Sequence, residues 1–259
     1  MTLDGLERAI LNAVPKRGAK INVIRYADDF IVTAKDRETL EEIVRPAIEH
    51  HLAPRGLLLS ATKTTVTHIR HGLVFLGQTL RKLGDKLLIT PAKASVKALL
   101  EKIRRLIRSH RGATAQSLIS KLNPVIRGWA HYHRHIAAKA TFARVDHAIH
   151  WTLMRWARRR HPTKATGWLV KKYFPTGYGH FSAPVPARDG KQRRLQLYRA
   201  AATRIERHIK VRAEANPYDP HYTDYFERRR VFAWRVMTPA AKVAGQPATQ
   251  PARPIARPQ

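Results

Sequence analysis

The sequence predicts an α+β protein, with its strands gathered near the start and a bundle of basic helices behind them. Three observations carry this. Runs of β-branched and aromatic residues separated by polar turns fill the first 89 residues, apolar residues recur at three and four positions from Val96 onward, and Pro and Gly thicken after Phe174. With 259 residues and 44% apolar content, the chain can bury an ordinary globular core.

The elements follow in order. Ile21 to Ile24 and Phe30 to Thr33 read as two strands joined by the polar turn "RYADD". Residues 36–56 have an acidic start, and Leu40, Ile43, Val44, Ile48 and Leu52 recur at helical spacing up to Gly56. Three short strands are expected next, at "LLLS", "TVTHI" and "VFLGQTLRK". A helix is expected to start at Thr90 as N-cap with Pro91 in its first turn, its apolar stripe being Val96, Leu99, Leu100, Ile103, Leu106 and Ile107. A second helix starts after Thr114 and is expected to bend or break at Asn123-Pro124. A third places Phe142, Val145, Ile149, Leu153 and Trp156 on one side. "PTGYGHFSAPVPARDGK" reads as a linker or loop, "LQLYRAAATRIERHIKV" as a further helix, and "EANPYDPHYTDYFERRR" as an extended segment leading into a short one. From Pro239 the Pro, Ala and Gln composition predicts disorder. The expected segments are therefore 1–89, 90–175, 176–237 and a tail at 238–259.

Charge narrows the class of partner. The formal net charge is +31, and residues 91–172 hold 19 Lys and Arg against only Glu101 and Asp146. Solvated helix faces are normally mixed in sign, so this excess points to a polyanion, nucleic acid before a membrane surface. No apolar run approaches the length of a membrane span, and no secretory signal is visible, which makes the cytoplasm the expected compartment. Without cysteine, disulfides, thiolate catalysis and cysteine-ligated zinc are excluded. The alternating His131, His133 and His135 cannot converge on a metal from a helix, where positions two apart diverge by about 200°. Trp129, Trp151, Trp156 and Trp168 sit among apolar positions and are expected mainly in the core.

Against this cationic background, "YADD" sets Asp28 and Asp29 side by side. Adjacent carboxylates repel, and a divalent cation such as Mg²⁺, with its preference for oxygen ligands, would offset the repulsion. Successive side chains on extended backbone point to opposite faces, so one of the two, Asp28, is expected to aim at such an ion. Two-metal phosphoryl transfer also needs an acid from another strand.

"YADD" inside an apolar hairpin resembles the active-site motif of reverse transcriptases, and the following "FIVTA" resembles the group II intron type. "LLLSATKTTVTHI" is similar to the segment whose lysine, here Lys63, lies near nucleotide and primer, and "HGLVFLGQTL" to the primer-grip strand. "LNPVIRGWAHYHRH", "FARVDHAIHWTLMRWARRRHP" and "GWLVKKYF" resemble the maturase, or thumb, domain of intron-encoded proteins. The residues before the hairpin resemble the helix that precedes it in that family, and "IKVRAEANPYDPHYTDYFERR" resembles the approach to an HNH endonuclease module. The resemblance spans roughly residues 2–230.

The resemblance implies a partial palm (1–89), a helical maturase domain (90–175), a DNA-binding or linker remnant (176–237) and a disordered tail. It implies Asp28 and Asp29 as catalytic, Mg²⁺-holding acids, and Tyr26, Ala27, Lys63 and Gly77 as nucleotide or primer contacts. It further implies Arg104, Arg105, Arg108, Arg127, Trp129, His131, Tyr132, Arg134, Arg155, Arg158, Arg159 and Arg160 as RNA contacts. The expected partner is group II intron RNA, with target DNA as a further one. Fingers, the family's first catalytic aspartate and the HNH cysteines find no counterpart; Asp4, Asp36 and Asp85 are not substitutes for that aspartate. Three readings stay open. The chain assists intron splicing as an RNA binder without polymerase activity, or polymerises DNA when a separate upstream polypeptide completes the palm, or is the product of a decaying frame.

Overall fold

The computed structural model describes residues 3–15, 20–186, 192–207, 211–212 and 215–237. The tail expected to be disordered from Pro239 lies outside them. The chain divides into two compact units, Met1–Leu88 and Ile89–Gln259, and the architecture is α+β.

In the first unit, helix α1 (Leu6–Ala13) begins behind Gly5, whose φ of 85° admits the turn into the helix. Leu6 and Ile10, one turn apart, bury one face of it against Val44, Ile48 and Leu52. Strands β1 (Asn22–Tyr26) and β2 (Asp29–Thr33) pair antiparallel, with Tyr26 opposite Asp29. The turn is thus the two residues Ala27 and Asp28, tighter than the five expected, because Arg25 and Tyr26 continue the ladder. Asp36 caps the next helix, its Oδ1 accepting the Thr39 N–H at 2.8 Å. Residues Thr39–Val44 are π-wound, the Arg45 N–H reaching Leu40 O. The α-helix proper, α2 (Arg45–Leu52), follows. The wider winding falls where Pro46 has no N–H to give Glu42 O.

Beyond Gly56 the expectation is corrected. "LLLS" and "TVTHI" form no strands: Leu58 is 92% exposed, and of the second segment Ile69 alone meets a strand, accepting the Lys82 N–H at 3.1 Å. "VFLGQTLRK" is not one strand but a hairpin, β3 (Leu73–Phe75) and β4 (Gln78–Leu83), turning at Leu76 and Gly77 with φ of 48° and 70°. Strand β5 (Lys86–Pro91) completes that sheet.

The second unit is built on three long helices. Helix α3 (Lys93–Ser109) starts later than expected, with Ala92 and not Thr90 at its N-cap. Thr90 and Pro91 remain in β5, held by the Ala137 N–H donating to Ile89 O at 3.0 Å. Helix α4 (Ala115–Tyr132) starts after Thr114 as expected, and Thr114 caps it by accepting the Ser117 N–H. It runs unbroken through Pro124, because Leu118, Ile119, Leu122, Ile126 and Ala130 are all fully buried. Each large apolar residue contributes about 1.5–3 kcal/mol, so together they outweigh the ~3 kcal/mol that an interior proline costs. Helix α5 (Lys139–Arg160) buries Phe142, Val145, Ile149, Leu153 and Trp156 as the periodicity predicts, and α6 (Thr166–Tyr173) adds Leu169 and Tyr173.

The packed core continues past Phe174. Phe181, Ala183, Leu197 and Ala200 belong to the same cluster as the helices. Within the supposed linker, Ser182–Pro186 form a strand, β6, paired antiparallel with β7 (Gln192–Gln196). Pro184 and Pro186, two apart, direct their missing N–H groups to the same side, away from the ladder. The helix expected over "LQLYRAAATRIERHIKV" is also corrected. Its start is β7, followed by one 3₁₀ turn, Ala200–Ala202, and the remaining described backbone is irregular. Its main-chain groups are bonded outside any α-helix: Leu197 N–H donates to Phe181 O at 2.8 Å, while Asn123 Oδ1 accepts from Tyr198 N at 2.7 Å and its Nδ2 donates to Gln196 O at 3.0 Å. A last helix, α7 (Thr223–Met237), is longer than the short one expected. Of the four tryptophans assigned mainly to the core, Trp156 is buried and Trp129 half-buried, whereas Trp151 and Trp168 are exposed.

Candidate nucleic-acid interface

The β1–β2 hairpin brings Tyr26, Ala27, Asp28 and Asp29 to one exposed tip. Ala27 holds φ at 56°, the left-handed value a two-residue primed turn requires, and a Cβ makes this costly. The strain lies inside the motif that carries both acids. Lys63 is exposed in a turn where it and Thr64 both donate main-chain N–H groups to Ser60 O, and Gly77 occupies the β3–β4 turn. Among the described residues no hydrogen bond or ion pair joins Lys63 to Asp28 or Asp29. Among the described residues, no group of three His, Asp or Glu side chains gathers as a metal ion would need. Two adjacent carboxylates suit part of a hard cation's shell, but not all of it.

The second unit presents its cations on several helices. Arg104, Arg105 and Arg108 are exposed on α3, and Arg155, Arg158 and Arg159 on α5. Arg127 on α4 places its guanidinium 5.1 Å from the centre of the Tyr198 ring, and His131 lies edge-on to the same ring at 6.2 Å. Tyr132 is exposed beside them. Other arginines have partners within the unit: Arg134 pairs with Glu206 at 3.3 Å, Arg158 donates to Thr166 Oγ1 at 3.4 Å, and Arg160 donates to Ala113 O at 3.0 Å while lying over Trp156.

The two acids of this basic region are placed differently. Glu101 stands 3.9 Å from Lys97. Asp146 is turned inward, its two oxygens accepting the N–H groups of Ala200 and Ala201 at 2.8 and 2.9 Å. Burial pushes its carboxyl above the usual carboxylate range, offset in part by those two donors and by Arg199. Composition alone sets Asp146 against the surrounding cations without showing that it is turned inward. Its position in the stripe gap next to Val145 was the one available sign that it faces the bundle.

Trp129 and His133 lie inward of Tyr132. Trp129 Nε1 donates to Ser95 Oγ at 3.0 Å, and Ser95 Oγ is 3.2 Å from His133 Nε2. His133 is fully buried, and desolvation, with His135 nearby, pushes its pKa down to about 4. Of the three alternating histidines, then, the central one is a core residue.

A family model for reverse transcriptase (RNA-dependent DNA polymerase) matches residues 1–80, and one for the group II intron maturase-specific domain matches residues 96–174. The strained acidic hairpin falls in the first match and the basic helices fall in the second. The chain belongs to the group II intron reverse transcriptase/maturase family. No curated protein matches it. Reverse transcriptases work with Mg²⁺, and among the described residues no helix is long and apolar enough to cross a membrane.

Proposed function

We propose that this protein binds group II intron RNA through the helices of its second unit and assists the folding that splicing requires, acting in the cytoplasm. One observation carries the reading: the cations of α3 to α5 share their surface with a single paired glutamate, since Asp146 is spent inside. A face of one sign costs stability through self-repulsion and is relieved when phosphates displace their counterions. Arg104, Arg105, Arg108, Arg127, Arg155, Arg158 and Arg159 supply the contacts.

Filter binding of intron RNA across a salt series tests this. Affinity falls with a log–log slope of about 0.7 to 0.9 per phosphate contact. Binding that ignores salt, or unrelated duplex DNA that displaces the RNA at equal concentration, removes the reading.

A second reading is favoured by the reverse-transcriptase match and the strained tip. Asp28 and Asp29 would contribute two of the carboxylates of a polymerase site completed by a polypeptide that supplies fingers and a further aspartate. Primer extension in Mg²⁺, with such a polypeptide added, yields cDNA that Asp28→Asn abolishes. Equal extension by the variant rejects it.

A further inference from the structure

The helical bundle leaves one tryptophan of α5 in water. Trp151 is 45% exposed, and it is not alone on its face. At 100° per residue, Arg144, His147, Trp151, Arg155 and Arg158 fall within about 80° of one another, opposite the buried Phe142, Ile149 and Leu153. All five are exposed. The stripe runs about 21 Å along the helix.

The indole is held in place. Its Nε1–H donates to His147 Nε2 at 3.1 Å. An indole N–H can only donate, so His147 keeps its proton on Nδ1, which donates to Tyr178 Oη at 2.6 Å. Tyr178, from the turn after α6, is itself 55% exposed, and its ring packs 4.1 Å from that of the buried His150. Two aromatic rings are therefore braced at the surface between arginines. The one acid of α5 and α6, Asp146, is consumed inside.

Both rings meet His147 and His150 on one side and keep about half of their surface in water on the other. What matches an aromatic plane flanked by cations is an unpaired nucleotide, its base stacking while its neighbouring phosphates meet the guanidinium groups. A second copy of this chain would set arginine against arginine.

We propose that Trp151, braced by His147 and Tyr178, is a stacking platform for an unpaired base of bound RNA, with Arg144 and Arg155 contacting the adjacent phosphates. This rests on the RNA-binding reading above and locates one contact within it.

The test uses the full chain, a short fluorescein-labelled single-stranded RNA, and the same RNA made abasic. Trp151→Ala weakens binding of the normal RNA roughly 5- to 150-fold without changing the salt slope. Trp151→Phe, which keeps a ring, stays within about threefold of wild type, and abasic RNA does not distinguish Trp151→Ala from wild type. Arg155→Gln lowers the slope by about 0.7. Should Trp151→Ala fail to fold, 4-thiouridine RNA cross-linked to the wild-type chain gives adducts at Trp151 or Tyr178. Wild type that binds steeply with salt while Trp151→Ala binds equally well overturns the platform and leaves the RNA-binding reading standing. So do equal losses on abasic RNA, adducts found only elsewhere, or self-association that Trp151→Ala abolishes. Wild type that binds neither RNA at low salt overturns both.

Discussion

Asp146 on α5 accepts the main-chain N–H of Ala200 at 2.8 Å across 54 residues of chain, and that of Ala201 beside it at 2.9 Å. A carboxylate with both oxygens committed to backbone donors fastens the turn after β7 to the bundle. Removing it leaves two part-buried donors without a partner, and hydrogen bonds to a charged acceptor contribute about 1.5–3 kcal/mol each. Asp146→Ala is expected to lower stability by about 2–4 kcal/mol, read as a shifted urea midpoint. Asp146→Asn keeps one acceptor and falls between. A midpoint unchanged by Asp146→Ala would show that the turn is not fastened there.

The same turn sets the size of the folding unit. The maturase match stops at residue 174, yet Phe181, Ala183, Leu197 and Ala200 lie in the same core, and Glu206 both donates its N–H to Arg134 O and pairs with the Arg134 side chain. Limited proteolysis should therefore leave a resistant fragment that runs from about residue 89 through Glu206, not one ending near 175. Mass spectrometry of the fragment decides it.

Buried His133 makes stability depend on pH. Unfolded, it protonates near 6.5; folded, only near 4, because burial penalises the charged ring. Between those values the unfolded chain holds a proton that the fold refuses. Its contribution is complete above about pH 6.5 and is lost as pH falls toward 4, amounting to up to about 3 kcal/mol. In urea titrations at neutral pH and near pH 4.5, wild type should lose more stability than His133→Gln. Parallel losses would refute the assignment.

Pro124 is exposed within an unbroken helix, where its ring cannot donate to Ser120 O. Pro124→Ala restores that donor and removes no packing. A gain of about 1–3 kcal/mol in unfolding free energy is expected. A loss would mean that the proline's fixed φ helps seat α4.

Much of the helical unit was legible in the residues themselves. Val145, Ile149 and Leu153 mark the buried face of α5 because a helix repeats locally, and Thr114 caps α4 because its hydroxyl reaches Ser117 three residues on. The acid pair at Asp28 and Asp29 was legible for the same reason, as a short polar interruption between two β-branched runs. A single-signed surface is likewise a matter of composition, and no folding is needed to count it.

Other features needed partners distant in sequence, and those only the tertiary structure supplied. "TVTHI" has the composition of a strand but meets one only at its last residue, Ile69, while "SAPVP" looks like a linker and became a strand because Gln192 to Gln196 came alongside. Whether Asp146 faced water or Ala200, and whether Trp151 was core or surface, depended on which side of α5 the rest of the unit covered. The residues alone determined a basic helical bundle behind an acidic hairpin. Tertiary packing decided where that bundle ends and which of its rings and charges are left facing solvent, because burial and pairing belong to surfaces that meet only after the chain has folded.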